Sequence, residues 1–390
     1  MKSKWETVTL GKTCDMIPGF AFKSEDFGDY SDKVIKIGDI IPPYVDMQTV
    51  GGVNIKKYNK DKLKKLSVCE GDFVFAMSGA TIGKVGQVIN GKGYINQRIL
   101  KFVADEKLID KKFLYYTMLK NDFLPFVNNY IDSQTAQPNI SNTTLGKYTF
   151  LLPSLPEQRI IATILSCLDD KIANNVAINH HLEQMAQAIF KSWFVDFEPF
   201  ADGGFIESKL GEIPIGWRVG LLSELVTVRY GKDHKKLTNG TIPVFGSGGL
   251  MRFVNTALYY RESVLIPRKG TLNNIIYVNH PFWSVDTMFY TEMNRPNLAK
   301  FVYFFVRSKD LASMNAGSAV PSMTTEILNN LPIVIPPDSE LARYEEVVSA
   351  QFKQMQTNQA ESDNLADLRD SLLPRLMSGE LSVSDIDPDK

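Results

Sequence analysis

Glycine-rich and proline-rich stretches come nearest to the spacing of known catalytic motifs. SGATIGKVG (78–86) is similar to a phosphate-binding loop, but only three residues separate Gly79 from Gly83. Val85 also stands where a magnesium-binding Ser or Thr is required. The stretch therefore predicts a tight turn beside a strand, with Lys84 near a phosphate, and not a nucleotide site.

Two further stretches each lack a residue that their chemistry requires. DIIPPY (39–44) contains a Pro-Pro-aromatic element like that of adenine methyltransferases, but Ile41 stands where Asp, Asn or Ser must accept from the amino group. FGSGG (245–249) is followed neither by a helical pattern nor by an acidic residue about 20 positions on, as a dinucleotide-binding loop requires.

The remaining reactive side chains form no catalytic pattern. Glu207 and Lys209 follow the glycine-rich linker ADGGF, where a solvated connector is expected. The three cysteines are widely spaced without a CxxC, which argues against a zinc cluster or a disulfide framework and fits a reducing cytoplasm. His180 and His181 are adjacent on a predicted helix, so they point about 100° apart and cannot share a metal. The sequence predicts no cofactor, no metal and no enzymatic activity.

Basic and amide side chains have the chemistry that contacts with nucleic acid require. Lys and Arg neutralise phosphates, and Arg, Lys, Asn and Gln hydrogen-bond to base edges. The alternatives are a solvated surface for the lysines and turn capping for the amides, so the prediction concerns sets. The candidates are Lys84, Lys92, Arg98, Gln134, Gln137 and Asn139 in the first half, and Lys232, Lys235, Lys236, Arg252, Arg268 and Lys269 in the second.

The charge distribution favours a polyanionic partner for two segments of this 390-residue chain. Residues 1–153 carry 21 Lys and Arg against 16 Asp and Glu, and residues 213–336 carry 13 against 7. The intervening 154–212 and the final 337–390 are acidic, with 4 against 9 and 5 against 12. Chance unevenness is the alternative. No apolar stretch is long enough to span a bilayer and the start lacks a signal-peptide core, so a cytoplasmic location is expected.

The chain repeats itself, which predicts a tandem duplication of one globular unit followed by one helix. WETVTLGK begins at Trp5 and WRVGLLSE at Trp217, 212 residues later, whereas QPNISNTTLGKYTFLLPS matches VPSMTTEILNNLPIVIPP at a separation of 183. YINQRILKFV precedes SVDTMFYTEM by 190, which pairs Arg98 with Met288. The globular units are expected to be strand-rich, with helices at 110–124 and 297–311.

A heptad pattern predicts that each copy ends in a long helix and that the two helices form an antiparallel coiled coil. From Glu157 to Glu198 the chain has no glycine or proline. The second helix repeats the pattern 183 residues later, so Asn175 falls on Asn358. The alternative is two unrelated amphipathic helices. The predicted seam comprises Leu165, Leu168, Ile172, Asn175, Asn179, Leu182, Ala186, Ile189 and Trp193, and then Val348, Gln351, Met355, Asn358, Ser362, Leu365, Arg369, Leu372 and Leu376.

More apolar residues lie on the first helix than a two-helix contact requires. We therefore predict a partner interface there. Its residues are Ile160, Ile161, Ile164, Phe190 and Phe194.

Several segments together resemble the specificity subunit of type I restriction–modification systems. They are LPSLPEQRIIATILSCLDDKI, AQAIFKSWFVDFEPF, LGEIPIGW, LRDSLLPRLMSGEL, GATIGKVG and SQTAQPNIS. The resemblance implies two target-recognition domains, each reading one half of a split, asymmetric DNA site. It also implies helices that dock two adenine-N6 methyltransferase subunits, with restriction subunits joining the complex, and no catalysis by this chain.

The expected fold class is α+β, with two similar strand-rich α/β target-recognition domains separated by two long helices in an antiparallel coiled coil with a pseudo-two-fold repeat. The alternative functions are a coiled-coil adaptor without DNA binding and a solitary enzyme such as a nuclease. The predicted boundaries are 1–153 and 213–336 for the recognition domains, 154–198 and 337–378 for the helices, 199–212 for a linker and 379–390 for a tail.

Overall fold

The computed structural model describes residues 5–131, 139–314 and 321–383. The chain divides into two compact units. Unit 1 comprises Met1–Asn175 and Ala360–Lys390, and unit 2 comprises Val176–Gln359. Each unit therefore contains one globular segment and a part of each long helix.

Unit 1 is built on a five-stranded sheet of order β2-β10-β7-β8-β4 and a four-stranded sheet of order β5-β3-β9-β6, with β1 and β11 as a separate pair. Its strands are β1 (Glu6–Thr9), β2 (Cys14–Pro18), β3 (Phe27–Ile35), β4 (Tyr44–Asp46), β5 (Gly52–Val53), β6 (Ser67–Val68), β7 (Phe73–Ala76), β8 (Val85–Ile89), β9 (Gly93–Ile95), β10 (Ile99–Ala104) and β11 (Thr149–Leu152). Its short helices are α1 (Leu10–Thr13), α2 (Lys60–Leu66), α3 (Lys111–Met118), α4 (Phe123–Asn129) and α5 (Asn142–Leu145).

Unit 2 repeats this plan with a sheet of order β15-β21-β18-β19, a sheet of order β17-β16-β20, and the pairs β12-β13 and β14-β22. The long helices are α6 (Leu155–Phe194) and α9 (Asp338–Met377). The strands are β12 (Phe205–Ser208), β13 (Gly211–Pro214), β14 (Arg218–Leu221), β15 (Val226–Tyr230), β16 (Ile242–Gly246), β17 (Gly249–Val254), β18 (Ser263–Pro267), β19 (Ile276–Val278), β20 (Trp283–Ser284), β21 (Met288–Met293) and β22 (Pro332–Ile335), with helices α7 (Ala299–Arg307) and α8 (Thr325–Asn329).

Strand register confirms the internal repeat and corrects one of its offsets. Glu6 pairs with Leu152 and Arg218 pairs with Ile335, as the 212 and 183 separations require. In the central sheets, however, the pairing of β7 with β10 in unit 1 corresponds to the pairing of β18 with β21 in unit 2. Ile99 pairs with Ala76, and Met288 pairs with Pro267 at the equivalent position. The separation there is 189 and not 190, so Met288 occupies the place of Ile99 and Thr287 that of Arg98.

Each long helix begins shortly after a strand ends: α6 begins at Leu155 after β11, and α9 begins at Asp338 after β22. Ser154 and Glu157 form a capping box at the start of α6, because the Ser154 amide donates to the Glu157 carboxylate at 3.1 Å and the Glu157 amide donates to the Ser154 hydroxyl oxygen at 3.5 Å. The indole of Trp5 also donates to Glu157, which ties the first strand to this helix. None of the helices in the described residues combines the length and apolar character needed to cross a membrane.

Within unit 1 the first part of α6 packs antiparallel to the last part of α9. The Arg369 guanidinium donates to Asp169 at 2.7 Å, and Lys171 pairs with Glu361 at 3.1 Å. The Asn175 amide donates to the Glu361 carboxylate, at 2.8 Å, and more weakly to the Ser362 hydroxyl. Residue numbers rise along α6 while those of the contacting residues on α9 fall, so the two helices are antiparallel.

Within unit 2 the second part of α6 packs antiparallel to the first part of α9. The Asn179 amide donates to the Met355 carbonyl at 3.0 Å, and the Asn358 amide donates to the Asn179 side-chain oxygen at 2.8 Å. Further along, the Phe190 and Tyr344 rings are 6.4 Å apart. All eighteen predicted seam residues of the two helices are buried or half-buried, which confirms the predicted coiled coil.

The five residues predicted to face a partner are packed within their own units, and this is a correction. Ile160 and Ile161 are buried in the core of unit 1, with Ile164 half-buried against it. Phe190 and Phe194 are buried in the core of unit 2. The surplus of apolar residues arises because each helix packs against a globular segment as well as against the other helix, so it needs a wider apolar face.

Candidate nucleic-acid interface

Three segments of unit 1 meet at one edge of its central sheet, where β7 ends and β10 begins. The Met77 amide donates to the Arg98 carbonyl at 2.8 Å, and the Ile140 amide donates to the Met77 carbonyl at 3.1 Å. Asn139 forms a β-bridge with Ser78. This edge therefore brings together Arg98 and Asn139, which are 41 positions apart in the sequence and both exposed.

Lys84 lies beside the same edge, because the Ala76 amide donates to the Lys84 carbonyl at 2.9 Å. The turn between them contains Gly79 and Gly83 with φ of 70° and 87°, values that favour glycine. A strand, β8, follows this turn instead of the helix that a nucleotide-binding loop would open. The stretch that is similar to a phosphate-binding loop is thus a tight turn that presents Lys84.

Unit 2 forms the same edge with the same backbone bonds. The Arg268 amide donates to the Thr287 carbonyl and the Met323 amide to the Arg268 carbonyl, both at 2.8 Å. Lys269 forms a β-bridge with Ser322. The Lys232 amide donates to the Ser284 carbonyl at 2.8 Å, which places this exposed lysine near the same edge.

The two edges share their backbone geometry but differ in their side chains. Equivalent backbone positions carry a cation or an amide in one unit and a smaller or apolar group in the other. Because base edges are discriminated by donor and acceptor pattern, edges with different side chains are suited to different bases. The equivalent positions are Met77 and Arg268, Ser78 and Lys269, Arg98 and Thr287, and Asn139 and Ser322.

Comparison with known proteins decides the family. The sequence profile described as "Type I restriction modification DNA specificity domain" matches residues 2–184 and 214–363, well over half of the chain and once in each copy of the repeat. The chain belongs to this family. The family is one of DNA-specificity domains and not of enzymes, which confirms the prediction of a DNA-recognition chain without catalytic activity.

Relatives of known name agree with the family. The chain is 27% identical over 319 residues to the type I restriction enzyme MjaIX specificity subunit of Methanocaldococcus jannaschii, covering 75% of this chain and 73% of that one. It is 22% identical over 379 residues to the HindI specificity subunit of Haemophilus influenzae, covering 74% and 81%. A crystal structure of the S subunit of a type I system from M. genitalium has the same fold, with a TM-score of 0.56 over 96% of each chain at 16% identity.

In this DNA-specificity chain the two arginines predicted in unit 2 have different surroundings. Arg268 is half-buried, stacks 5.3 Å from the Tyr230 ring and donates to the Asp286 carbonyl at 3.2 Å, so its guanidinium is held at the edge. Arg252 donates to the carbonyls of His234 and Leu237, at 3.0 and 2.6 Å. Arg252 therefore fixes the loop that carries the exposed Lys235 and Lys236, and its own donors point into the protein.

Lys92 does not join Lys84, although both flank β8. It follows the opposite end of that strand and lines a cavity of about 330 Å³ with Lys33, Lys101 and Asp72. Burial alone would raise the pKa of Asp72, but hydrogen bonds from Lys111, the Cys69 amide and Lys101 lower it overall. Gln134 and Gln137 lie outside the described residues.

The other stretches singled out in the sequence are structural turns. DIIPPY leads through a cis peptide bond between Pro42 and Pro43 into β4, and FGSGG forms the turn between β16 and β17. In the part of the chain that the structure describes, no group of three His, Cys, Asp or Glu side chains is placed to hold a metal ion.

Sequence reasoning missed a lysine-rich surface on unit 1. Residues 56–65 contain six lysines and one aspartate, and they form the end of a short turn and most of α2. The signal was present as a charge run. The net charge of the whole segment 1–153 averages out this local run.

Proposed function

We propose that this chain is the DNA-reading subunit of a type I restriction–modification complex, in which each unit reads one half of a bipartite, asymmetric site. The observation that carries the proposal is the pair of equivalent sheet edges with different side chains. Two reading surfaces of one backbone design but unlike chemistry suit two unlike half-sites.

In unit 1 we assign base contacts to Arg98 and Asn139 and a phosphate contact to Lys84. An arginine reads guanine through two parallel hydrogen bonds, and an asparagine reads adenine in the same way. The Arg98 residue has φ of 65°, which turns it out of line with the strand that follows. Among the described residues neither Arg98 nor Lys84 has an ion-pair partner.

In unit 2 we assign the corresponding contacts to Arg268, Lys269 and Lys232. Arg268 is held in place by Tyr230 and the Asp286 carbonyl, which reduces the side-chain entropy lost on binding. Lys269 and Lys232 are exposed and supply phosphate contacts.

We further propose that α6 and α9 dock two adenine-N6 methyltransferase subunits, with restriction subunits joining the complex. Both helices keep apolar side chains exposed after the chain has buried its own seam, and these replace the five buried residues as interface candidates. They are Val176, Ile178, Met185 and Val195 on or beside α6, and Val347 and Leu368 on α9.

The proposal is tested by binding of the chain, purified together with its methyltransferase subunit, to duplex DNA at several salt concentrations. Replacing Arg268→Gln and Lys269→Gln together should weaken binding to the recognised site and lower the log–log salt slope by about 0.9, because Lys269 supplies one phosphate contact and Arg268 a base contact. The mass of the same complex measures how many methyltransferase subunits are bound.

The matched control changes Arg261→Gln and Lys209→Gln, which are exposed residues of unit 2 away from the edge. Arg261 precedes β18 and Arg268 follows it, so the two arginines lie at opposite ends of one strand. An unchanged slope in the Arg268 and Lys269 variant, together with an unchanged affinity for the recognised site, would remove both residues from the interface. Absence of DNA binding by the unaltered complex would favour the adaptor function instead.

A further inference from the structure

We infer that the lysine-rich helix α2 of unit 1 is a second DNA contact, which binds the phosphate backbone without reading sequence and which the described residues of unit 2 do not repeat as a helix. The inference rests on the proposed function, since it requires DNA at the neighbouring edge. None of the DNA contacts assigned above lies on α2.

The sequence of α2 places its cations outward. Leu63 and Leu66 are buried and anchor one face of the helix. At 100° per residue, Lys64 and Lys65 lie on the opposite side, to either side of Asp61, and Lys60 lies on one flank. All three lysines are exposed. The Asn59 side chain accepts from the amides of residues 61 and 62 and so fixes the start of the helix.

The outward lysines are available to an external anion. Among the described residues no carboxylate lies within ion-pair distance of Lys60, Lys64 or Lys65. By contrast Lys57 pairs with Asp26 at 2.9 Å, and Asp26 also accepts from the Tyr58 hydroxyl at 2.5 Å. These hydrogen bonds, the one from Tyr58 foremost, lower the pKa of Asp26 and hold the preceding turn in place.

A short chain of contacts joins α2 to the reading edge of unit 1. The Lys62 ammonium lies 3.7 Å from the centre of the Phe20 ring. Phe20 forms a β-bridge with Asn96, and the Asn96 side chain accepts from the Phe22 amide. Arg98, at the reading edge, follows Asn96 by two residues. A duplex that reached Arg98 would therefore have its backbone near α2.

Unit 2 places a different element at the equivalent point. Gly19 and Gly231 occupy equivalent positions, because their amides donate to the carbonyls of Ile99 and Met288. After Gly19 the chain of unit 1 goes on to build the four-stranded sheet and α2, whereas after Gly231 it passes through a loop to the β16–β17 hairpin. Six lysines against one carboxylate suit a polyphosphate backbone and carry no base code, so DNA is the occupant we assign.

The test replaces Lys60, Lys64 and Lys65 by Gln, which preserves helix propensity. The probe is a mixed-sequence duplex of roughly four helical turns, bound by the chain with its methyltransferase subunit over a range of salt concentrations. The salt slope should fall by about 2–3, since about 0.9 is lost for each phosphate contact. A duplex containing the recognised site should lose the same amount, and discrimination between the two duplexes should be unchanged.

The matched control replaces Lys12, Lys107 and Lys147 by Gln. These lysines are exposed in the same unit but lie by the far ends of β2 and β10, where Ala104 pairs with Cys14. An equal fall in slope for the control would mean that the effect comes from the net charge of the protein and not from α2, and it would overturn the inference. An unchanged slope in the α2 variant would also overturn the inference. So would a variant that loses the methyltransferase subunit but keeps its affinity for DNA. If the unaltered complex bound no DNA, the proposed function itself would fail.

Discussion

At the scale of the residue, two glycines show why equivalent edges recur in the two units. Gly19 and Gly231 stand where the chain leaves β2 and β15 and passes very close to another backbone. A Cβ atom on Gly19 would lie 1.9 Å from the Asn96 carbonyl oxygen, and one on Gly231 would lie 2.0 Å from the Val285 carbonyl oxygen. Only glycine permits this approach, and the approach sets the position of the residues that follow.

Gly19→Ala should therefore destabilise unit 1, by at least about 1–3 kcal/mol, because the added methyl group meets fixed backbone and not a flexible side chain. Denaturant unfolding measures the change in the free energy of unfolding. Gly38→Ala is the control, since a Cβ at Gly38 has nothing within 4 Å. Equal stability of the two variants would mean that the backbone at Gly19 relaxes freely.

At the scale of the element, Asp72 connects three parts of unit 1. Its carboxylate, beside the start of β7, pairs with Lys101 on β10 at 3.0 Å and with Lys111 on α3 at 2.8 Å, and only 8% of its side-chain surface is exposed. Its lowered pKa means that the charged form is favoured in the folded state. Stability from this group is thus present above the unfolded pKa of about 3.9 and is lost as pH falls through the folded pKa.

Asp72→Asn should lower the free energy of unfolding at neutral pH, because it leaves Lys101 and Lys111 without their carboxylate. The deficit should shrink as pH falls below about 4, where the aspartate of the unaltered chain becomes protonated first in the unfolded state and, at lower pH, in the folded state. Unfolding measured from pH 7 to pH 2 tests this. Asp15→Asn, at an exposed site on β2, should show no such pH-dependent change in the free energy of unfolding relative to the unaltered chain. A deficit that stays constant with pH would assign the loss to packing and not to charge.

At the scale of the whole molecule, one chain contains two recognition units with separate cores and unlike edges. Unit 1 presents Arg98, whereas unit 2 has Thr287 at the same backbone position. If each unit reads one half-site, a change at one edge must alter one half of the recognised sequence and leave the other half intact.

Arg98→Ala should relax recognition in one half-site only, and the discrimination lost should be about 1–3 kcal/mol at one base pair. Competition binding with duplexes varied one base pair at a time across both halves measures it. Thr287→Ala is the matched change in unit 2, and any effect should fall in the other half. Loss of discrimination in both halves from Arg98→Ala would contradict the assignment of one unit to one half-site.

Repeated segments and heptad periodicity in the sequence predicted the duplication, the two long helices and the residues of their seam. A heptad pattern is a local property that fixes which face of a helix is apolar, and its recurrence after 183 residues placed Asn175 and Asn358 in equivalent inward positions. The same residue-level reasoning predicted Arg98, Asn139, Arg268 and Lys269 as DNA contacts, because cations and amides hydrogen-bond to phosphates and base edges, and they stay candidates.

Tertiary structure alone decided which of these groups lie together. Ile161 and Phe194 pack inside their own units, Arg252 fixes a loop, and Lys84 and Lys92 lie at opposite ends of β8. Each outcome depends on pairing between segments far apart in the sequence, and a shift of one residue in register exchanges the faces of a strand. The same pairing sets the separation of the repeat in the central sheets at 189, whereas the sequence alone predicted 190.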